Sequence, residues 1–234
     1  MAGARNRAGA PLTAKRPAPT RACPTRPGPT RTGLVGGSFN PAHGGHRTIS
    51  LAAIEALALH DCWWLVSPGN PLKSDNAMAP LPARLASARR QARHSVIRAT
   101  DLEVRLRTRY TIDTMRALVR RYPKRRFVWI MGADIVGEFH RWRDWRRLAR
   151  AVVIAVVVRP GYIGLVGASP AAAWLRRFVR PLGQHDDWTR WTLPAVVLLP
   201  SRPTSASASA LRRAEPDWHR TIAVNPARPR SRFP

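Results

Sequence analysis

The chain has 234 residues, 44% of them hydrophobic, which is enough for one substantial core and is read here as a single folded domain. No apolar run approaches the roughly 18 residues of a membrane span, because Ala151 to Val158 stops at Arg159-Pro160. Cys23 and Cys62 lie in no CxxC or Cys/His cluster, which argues against a disulfide framework or a structural zinc site and for a reducing, cytoplasmic setting, and the formal charge of +27 would draw any polyanion without choosing among them.

In chain order, residues 1 to 31 come first: basic, proline-rich and free of acidic residues, with too little apolar surface to offset the entropy of ordering. They are expected to form a disordered tail. An arginine-rich start also resembles a transit peptide but lacks amphipathic periodicity, and the absence of an apolar h-region argues against a secretory signal. A start codon placed too far upstream is a third possibility. From residue 32 to 215 short apolar runs alternate with helical stretches, the pattern of βα units on a parallel sheet. Strands are expected at Leu34-Val35, Trp63 to Val66, Val96 to Ala99, Phe127 to Met131, Val152 to Val158 and Ala195 to Leu199. Helices are expected at Thr48 to His60, Pro82 to His94 and Thr111 to Tyr122. Thr111 reads as the cap of the last, and Asp113 stands in its first turn, where the helix dipole favours a negative charge. The expected architecture is α/β, a Rossmann-like parallel sheet flanked by helices, with ligands bound along the edge formed by the strand C-termini. Residues 216 to 234 are again rich in proline and arginine and are expected to be peripheral.

The strongest motif follows the first strand and runs into the first long helix: Gly36-Gly37-Ser38-Phe39-Asn40-Pro41-Ala42-His43-Gly44-Gly45-His46. Glycines admit a phosphate close to the backbone, a helix start offers free N–H groups, and histidines three residues apart can face one anion. A tight βα turn with two incidental histidines would also fit, as would a metal pair, although a metal wants a third ligand and none is evident. After the second strand, Ser67-Pro68-Gly69-Asn70-Pro71-Leu72-Lys73 brings a lysine that can reach a phosphate or stand solvated at the surface. After the last, Ser207-Ala208-Ser209-Ala210-Leu211-Arg212 opens a helix with small hydroxyl residues and puts an arginine one turn in, a pattern that can bind a leaving pyrophosphate or be an ordinary cap.

The first of these runs resembles the G-G-[ST]-F-[DN]-P-x-H-x-G-H signature of the nucleotidyltransferases with a His-x-Gly-His motif. The run at Ser207 is similar to their I-S-S-T-x-[IL]-R element, with Ala208 and Ser209 in place of serine and threonine. Tyr110-Thr111-Ile112-Asp113-Thr114, Trp129 to Asp134 ending in Gly-Ala-Asp, Phe139 to Trp145, and Arg159-Pro160-Gly161 occur in the order found in the nicotinate-nucleotide adenylyltransferases. The family more often has aspartate where this chain has Asn40.

The resemblance, which covers about Gly33 to Arg213, implies transfer of the adenylyl group of ATP to nicotinate mononucleotide, with Mg²⁺ accompanying the triphosphate. It implies that His43 and His46 stabilise the transition state. Gly36, Gly37, Ser38, Phe39, Lys73, Ser207, Ser209 and Arg212 join the two histidines around ATP. For the nicotinate nucleotide, Trp142 offers a stacking surface, Thr111 and Arg143 offer donors for its carboxylate, Asp134 can fix a ribose hydroxyl, and Arg159 completes the set. No metal-binding residues are expected on the protein itself. Two other readings stand beside this one: a different adenylyltransferase of the superfamily, such as the pantetheine-phosphate one, which has no use for the Trp142 platform, and a basic nucleic-acid-binding protein that kept the fold and lost the chemistry. Nothing in the motifs supports nucleic acid as the partner.

Overall fold

The computed structural model describes residues 28–69, 78–158, 169–201 and 207–222. Seven strands form one sheet: β1 (Thr30–Gly37), β2 (Asp61–Val66), β3 (Ile97–Thr100), β4 (Arg125–Gly132), β5 (Val153–Val158), β6 (Val179–Arg180) and β7 (Val196–Pro200). Their order is β3-β2-β1-β4-β5-β7-β6 and every neighbouring pair is parallel. The expected Rossmann-like sheet is therefore present. Parallel strands need helical crossovers, which cover both faces, so the strands read as unbroken apolar runs. β2, Asp-Cys-Trp-Trp-Leu-Val, is buried at all six positions.

The helices are α1 (Gly44–Ala56), α2 (Leu81–Gln91), α3 (Leu102–Leu106), α4 (Thr111–Arg121), α5 (Ala133–Val136), α6 (Trp145–Ala149), α7 (Pro170–Leu175), α8 (Ala208–Ala214) and α9 (Trp218–Thr221). One core forms on the sheet face where Trp63, Trp129 and Met131 meet Ile112, Met115 and Leu118 of α4. On the other face Trp64, Val128 and Ile130 meet Ala53 of α1 and Leu85 of α2. Both are close-packed apolar layers, and each large side chain fully removed from water contributes about 1.5–3 kcal/mol to stability before entropy is counted.

At the opposite edge from the strand C-termini, three strands are tied by one polar cluster. Arg125 donates to Asp61 at 3.0 Å and to Thr32 Oγ1 at 2.7 Å, Thr32 donates to the same carboxylate at 2.7 Å, and the Trp63 indole donates to it at 3.1 Å. The pair is nearly out of water, with 12% and 10% of the side chains exposed, so each charge depends on the other.

Three sequence expectations shift. α1 starts at Gly44, four residues earlier than the apolar spacing indicates, because His43 caps it. α4 is preceded by Tyr110, which makes no side-chain capping bond, so Thr111 is its first residue and not its cap. β1 runs well beyond Leu34-Val35 in both directions, since a parallel strand between β2 and β4 is paired along its length whatever its side chains.

Candidate active site

The strand order reverses direction between β1 and β4, and a crevice opens there beyond their C-terminal ends, as a doubly wound sheet requires. It is a cavity of about 840 Å³ walled by the end of β1, the start of α1, the end of β4 and the Tyr110–Thr111 start of α4. That is the size of a nucleotide-sized ligand site. Gly36 and Gly37 line it from β1, Ser38 and Phe39 from the turn that follows, His43 and His46 from the start of α1, and Asp134, Trp142 and Arg143 from the β4 side.

His43 and His46 are locked by the helix they begin. His43 Nδ1 accepts the Gly45 N–H at 3.1 Å, and His46 Nδ1 accepts the His43 N–H at 3.2 Å, a reciprocal cap built from two imidazoles. Each ring thus uses Nδ1 as acceptor, so in the neutral form the proton sits on Nε2 and makes it a donor. The rings lie 3.9 Å apart and tilted by 43°, and Phe39 lies tilted 4.6 Å from His46 and stacks on Trp64 at 5.1 Å. Burial lowers the pKa of His43, partly opposed by the charge of Asp134, and pushes His46 down to about 3. Burial thus favours the uncharged form of both rings, most strongly in His46. They offer two N–H donors held without freedom to turn away.

The glycines divide their work. A Cβ on Gly36 would stand 2.5 Å from Cη2 of Trp129, so its missing side chain makes room for the indole on β4, whereas a Cβ on Gly37 would make only ordinary contact with Phe39. The close-approach role that the motif predicts for both glycines thus has a packing component at Gly36. On β4, a side chain at Gly132 would collide with the Asp134 carboxylate, which α5 carries in its first turn.

Across the crevice, Trp142 is half-buried with an extended backbone, edge-on to Trp129 at 5.9 Å and to Phe139 at 5.3 Å. Trp145, three residues on, packs instead against Phe139 at 5.8 Å and Trp174 at 5.2 Å. The two are not on one helical face: Trp142 borders the cavity and Trp145 supports it. The Arg143 guanidinium lies 4.6 Å over the Tyr110 ring, which sets a cation beside the α4 N-terminus where Thr111 lines the cavity.

Ser207 accepts the Ala210 N–H at 3.1 Å and caps α8. Arg212 donates to the Ser209 hydroxyl at 3.2 Å and to the carbonyl of Asn40 at 2.6 Å, so α8 is fastened to the histidine motif, although only Ala208 of this helix borders the cavity. Lys73 and Arg159 lie outside the described residues, as does Cys23; Cys62 is a free, buried thiol.

Glu103 escaped the sequence reading. It is 6% exposed, lies in the cavity wall and accepts from Thr114 Oγ1 at 3.3 Å, while Thr114 also meets Thr108 at 2.8 Å. Burial pushes its carboxyl up to about 7, against the opposing effect of hydrogen bonds from Thr114 and Ser67. Its one sequence signal is an acid between Leu102 and Val104 in an arginine-rich chain. Among the described residues, no group of three His, Cys, Asp or Glu side chains could hold a metal ion, and no helix is long and apolar enough to cross a membrane.

Comparison with known proteins gives concordant results. The family model for cytidylyltransferase-like proteins matches residues 34–214. A protein of Erythrobacter litoralis named "Probable nicotinate-nucleotide adenylyltransferase" is 57% identical over 80% of this chain and 85% of its own. One of the same name from Parvibaculum lavamentivorans is 46% identical over 77% and 90%. Among solved structures, Plasmodium falciparum nicotinic acid mononucleotide adenylyltransferase complexed with NaAD aligns with a TM-score of 0.57 over 79% of this chain and 83% of that one, at 18% identity, a likeness of fold.

Proposed function

The chain belongs to the cytidylyltransferase-like family and, within it, to the nicotinate-nucleotide adenylyltransferases, and from that membership we infer that it joins the adenylyl group of ATP to nicotinate mononucleotide, giving nicotinate adenine dinucleotide and pyrophosphate, a step of NAD biosynthesis. The observation that carries the reading to this molecule is the pair of imidazoles at the β1–α1 turn, fixed as Nε2–H donors at the switch point of the sheet.

A phosphate oxygen of the mononucleotide attacks the α-phosphorus of ATP in line, the new P–O–P bond forms as the bond to pyrophosphate breaks, and no covalent enzyme intermediate is needed. Catalysis is then positioning and charge stabilisation. His43 and His46 donate to the phosphate oxygens, where charge grows in the transition state. Main-chain groups of Gly36, Gly37, Ser38 and Phe39 receive the nucleotide. Arg212, with Ser207 and Ser209, and Lys73 bind the departing pyrophosphate. Mg²⁺ would enter as part of the Mg–ATP substrate, a hard ion that takes phosphate oxygens as ligands.

For the acceptor, the nicotinate ring stacks on Trp142. Its carboxylate meets the N–H groups at Thr111, where the α4 dipole is positive, and the Arg143 guanidinium. Asp134 holds a ribose hydroxyl and Arg159 the phosphate. The catalytic unit is residues 32–215 of a cytoplasmic enzyme.

The test is pyrophosphate release from Mg–ATP with nicotinate mononucleotide, nicotinamide mononucleotide or phosphopantetheine as acceptor. Preferential turnover of nicotinate mononucleotide, with KM for it raised about tenfold or more in Trp142→Ala and KM for ATP little changed, is expected from the loss of one stacking surface. Preference for another acceptor would remove the substrate assignment.

A further inference from the structure

α2 presents to the crevice's outer wall an arginine that the reaction has not called on. Arg84 is 1% exposed. Its Nε donates to the carbonyl of Ala79 at 2.7 Å, one terminal nitrogen to those of Ser38 at 2.8 Å and Ser67 at 2.6 Å, and the other to that of Pro68 at 3.1 Å. Four carbonyl oxygens from three separate stretches of chain thus converge on one guanidinium, which has five N–H donors in a rigid fork. Among the described residues it makes no ion pair, although a buried cation is costly unless its charge is met. Carbonyl dipoles meet it here.

The location of those carbonyls gives the arrangement its meaning. Ser38 and Ser67 both line the cavity, Ser38 in the glycine-rich turn after β1 and Ser67 just after β2. A trans peptide is planar with C=O and N–H on opposite sides, so drawing the Ser38 carbonyl back to Arg84 turns the Phe39 N–H of the same peptide away from Arg84. Phe39 holds φ at 48°, a left-handed conformation that a bulky residue adopts only when its surroundings impose it. Two neighbours reinforce the hold: Ser87 of α2 accepts the Ala42 N–H at 3.1 Å, and the Ala79 N–H donates to Asn40 Oδ1 at 3.2 Å.

We propose that Arg84 is a positioning residue of the ATP site: it fixes the Ser38–Phe39 peptide and the exit from β2 in the shape that receives the triphosphate, and lends that wall a positive charge without touching the substrate. The proposal rests on the ATP-dependent reading above. It separates ATP binding from acceptor binding, because the hydrogen bonds of Arg84 run to Ser38, Ser67, Pro68 and Ala79 and not to the Trp142, Thr111 and Arg143 wall.

The experiment measures both Michaelis constants and thermal unfolding for wild type, Arg84→Lys and Arg84→Ala, the last with and without added guanidinium ion. Lysine keeps the charge but can satisfy fewer carbonyls from one point. Lost charged hydrogen bonds of this kind are expected to raise KM for ATP by about ten- to a hundredfold in Arg84→Lys, with KM for nicotinate mononucleotide changed less than about threefold and the unfolding transition still cooperative. Guanidinium ion is expected to restore part of ATP binding to Arg84→Ala. Equal KM for ATP in wild type and folded Arg84→Lys, or a loss of kcat in step with the folded fraction alone, would overturn the proposal. Should neither variant fold, wild type still decides: a non-hydrolysable ATP analogue must shift the amide resonance of Phe39, and an unmoved resonance rejects the assignment. Wild type that binds ATP but uses another acceptor would instead fail the substrate reading and leave Arg84 in place.

Discussion

At His43 the cap and the chemistry are carried by different atoms of one ring. Nδ1 holds the Gly45 N–H and Nε2 is left to donate to substrate. Asparagine offers a capping oxygen but no donor in the place of Nε2, so His43→Asn is expected to keep the melting temperature near that of wild type while kcat falls by about 10²–10³, the usual cost of one transition-state donor. His43→Ala adds to that loss about 1 kcal/mol of stability from the missing cap. A melt and a turnover assay on both variants separate the two roles. If His43→Asn turned over like wild type, Nε2 would have no part in the reaction. The pH dependence is written in Glu103 and His46. With its pKa raised from 4.5 to about 7, Glu103 retains in the fold a proton that the unfolded chain releases, so its contribution is full below pH 4.5 and lost as pH rises through 7. His46, lowered from 6.5 to about 3, acts oppositely, with stability present above 6.5 and lost as pH falls toward 3. Glu103→Gln removes only the contribution of the carboxyl. Its melting temperature should therefore lose less than that of wild type between pH 6 and about 8, and parallel curves would show that Glu103 does not titrate there.

Among the elements, the chemistry sits at one end of the strands and a stabilising cluster at the other. Arg125, Asp61 and Thr32 stand at or near the N-terminal ends of β4, β2 and β1, remote from the crevice beyond the C-terminal ends. Removing one partner of such a shielded pair leaves an uncompensated charge, so Arg125→Ala is expected to cost about 3 kcal/mol in denaturant unfolding while leaving kcat/KM of the folded fraction unchanged. A fall in kcat/KM without a fall in stability would place this cluster in the catalytic machinery. The same division explains what could be read from sequence. The long strands and α1, α2 and α4 announce themselves because burial on two faces or one writes an apolar run or a helical stripe. The two-residue strand β6 and the short helices α3, α5, α6 and α7 carry too few residues for a period to show, and their position comes from contacts distant in sequence. At the site, His43, His46, Asp134 and Trp142 were legible because they fall in contiguous motifs. Arg84 and Glu103 were not, since a charged residue on a helix reads as part of a solvated face until the fold shows it buried against polar groups from distant segments.

At the scale of the whole molecule, +27 charges face substrates that are all anions. Much of the excess is spread over exposed helix faces, as with Arg89, Arg90, Arg120 and Arg121, and composition bias accounts for such residues without a ligand. Arg109, Arg141 and Arg143 differ, because they border the crevice itself, on the side proposed to receive the nicotinate nucleotide. Charge around an opening concentrates ligands of opposite sign and speeds their capture, whereas the chemical step in the filled site is shielded from bulk salt. The two origins of the charge therefore part company in salt dependence. If the field steers substrate, kcat/KM for both ATP and nicotinate mononucleotide should fall by about tenfold between roughly 0.05 and 0.5 M salt while kcat stays within about twofold, as the screening length shrinks from over 10 Å to a few. Arg109→Gln and Arg141→Gln together should flatten that slope, and replacing Arg120 and Arg121 should not. A kcat/KM indifferent to salt would mean that the basic surface is a property of the composition, and that capture depends on the fixed donors of the crevice alone.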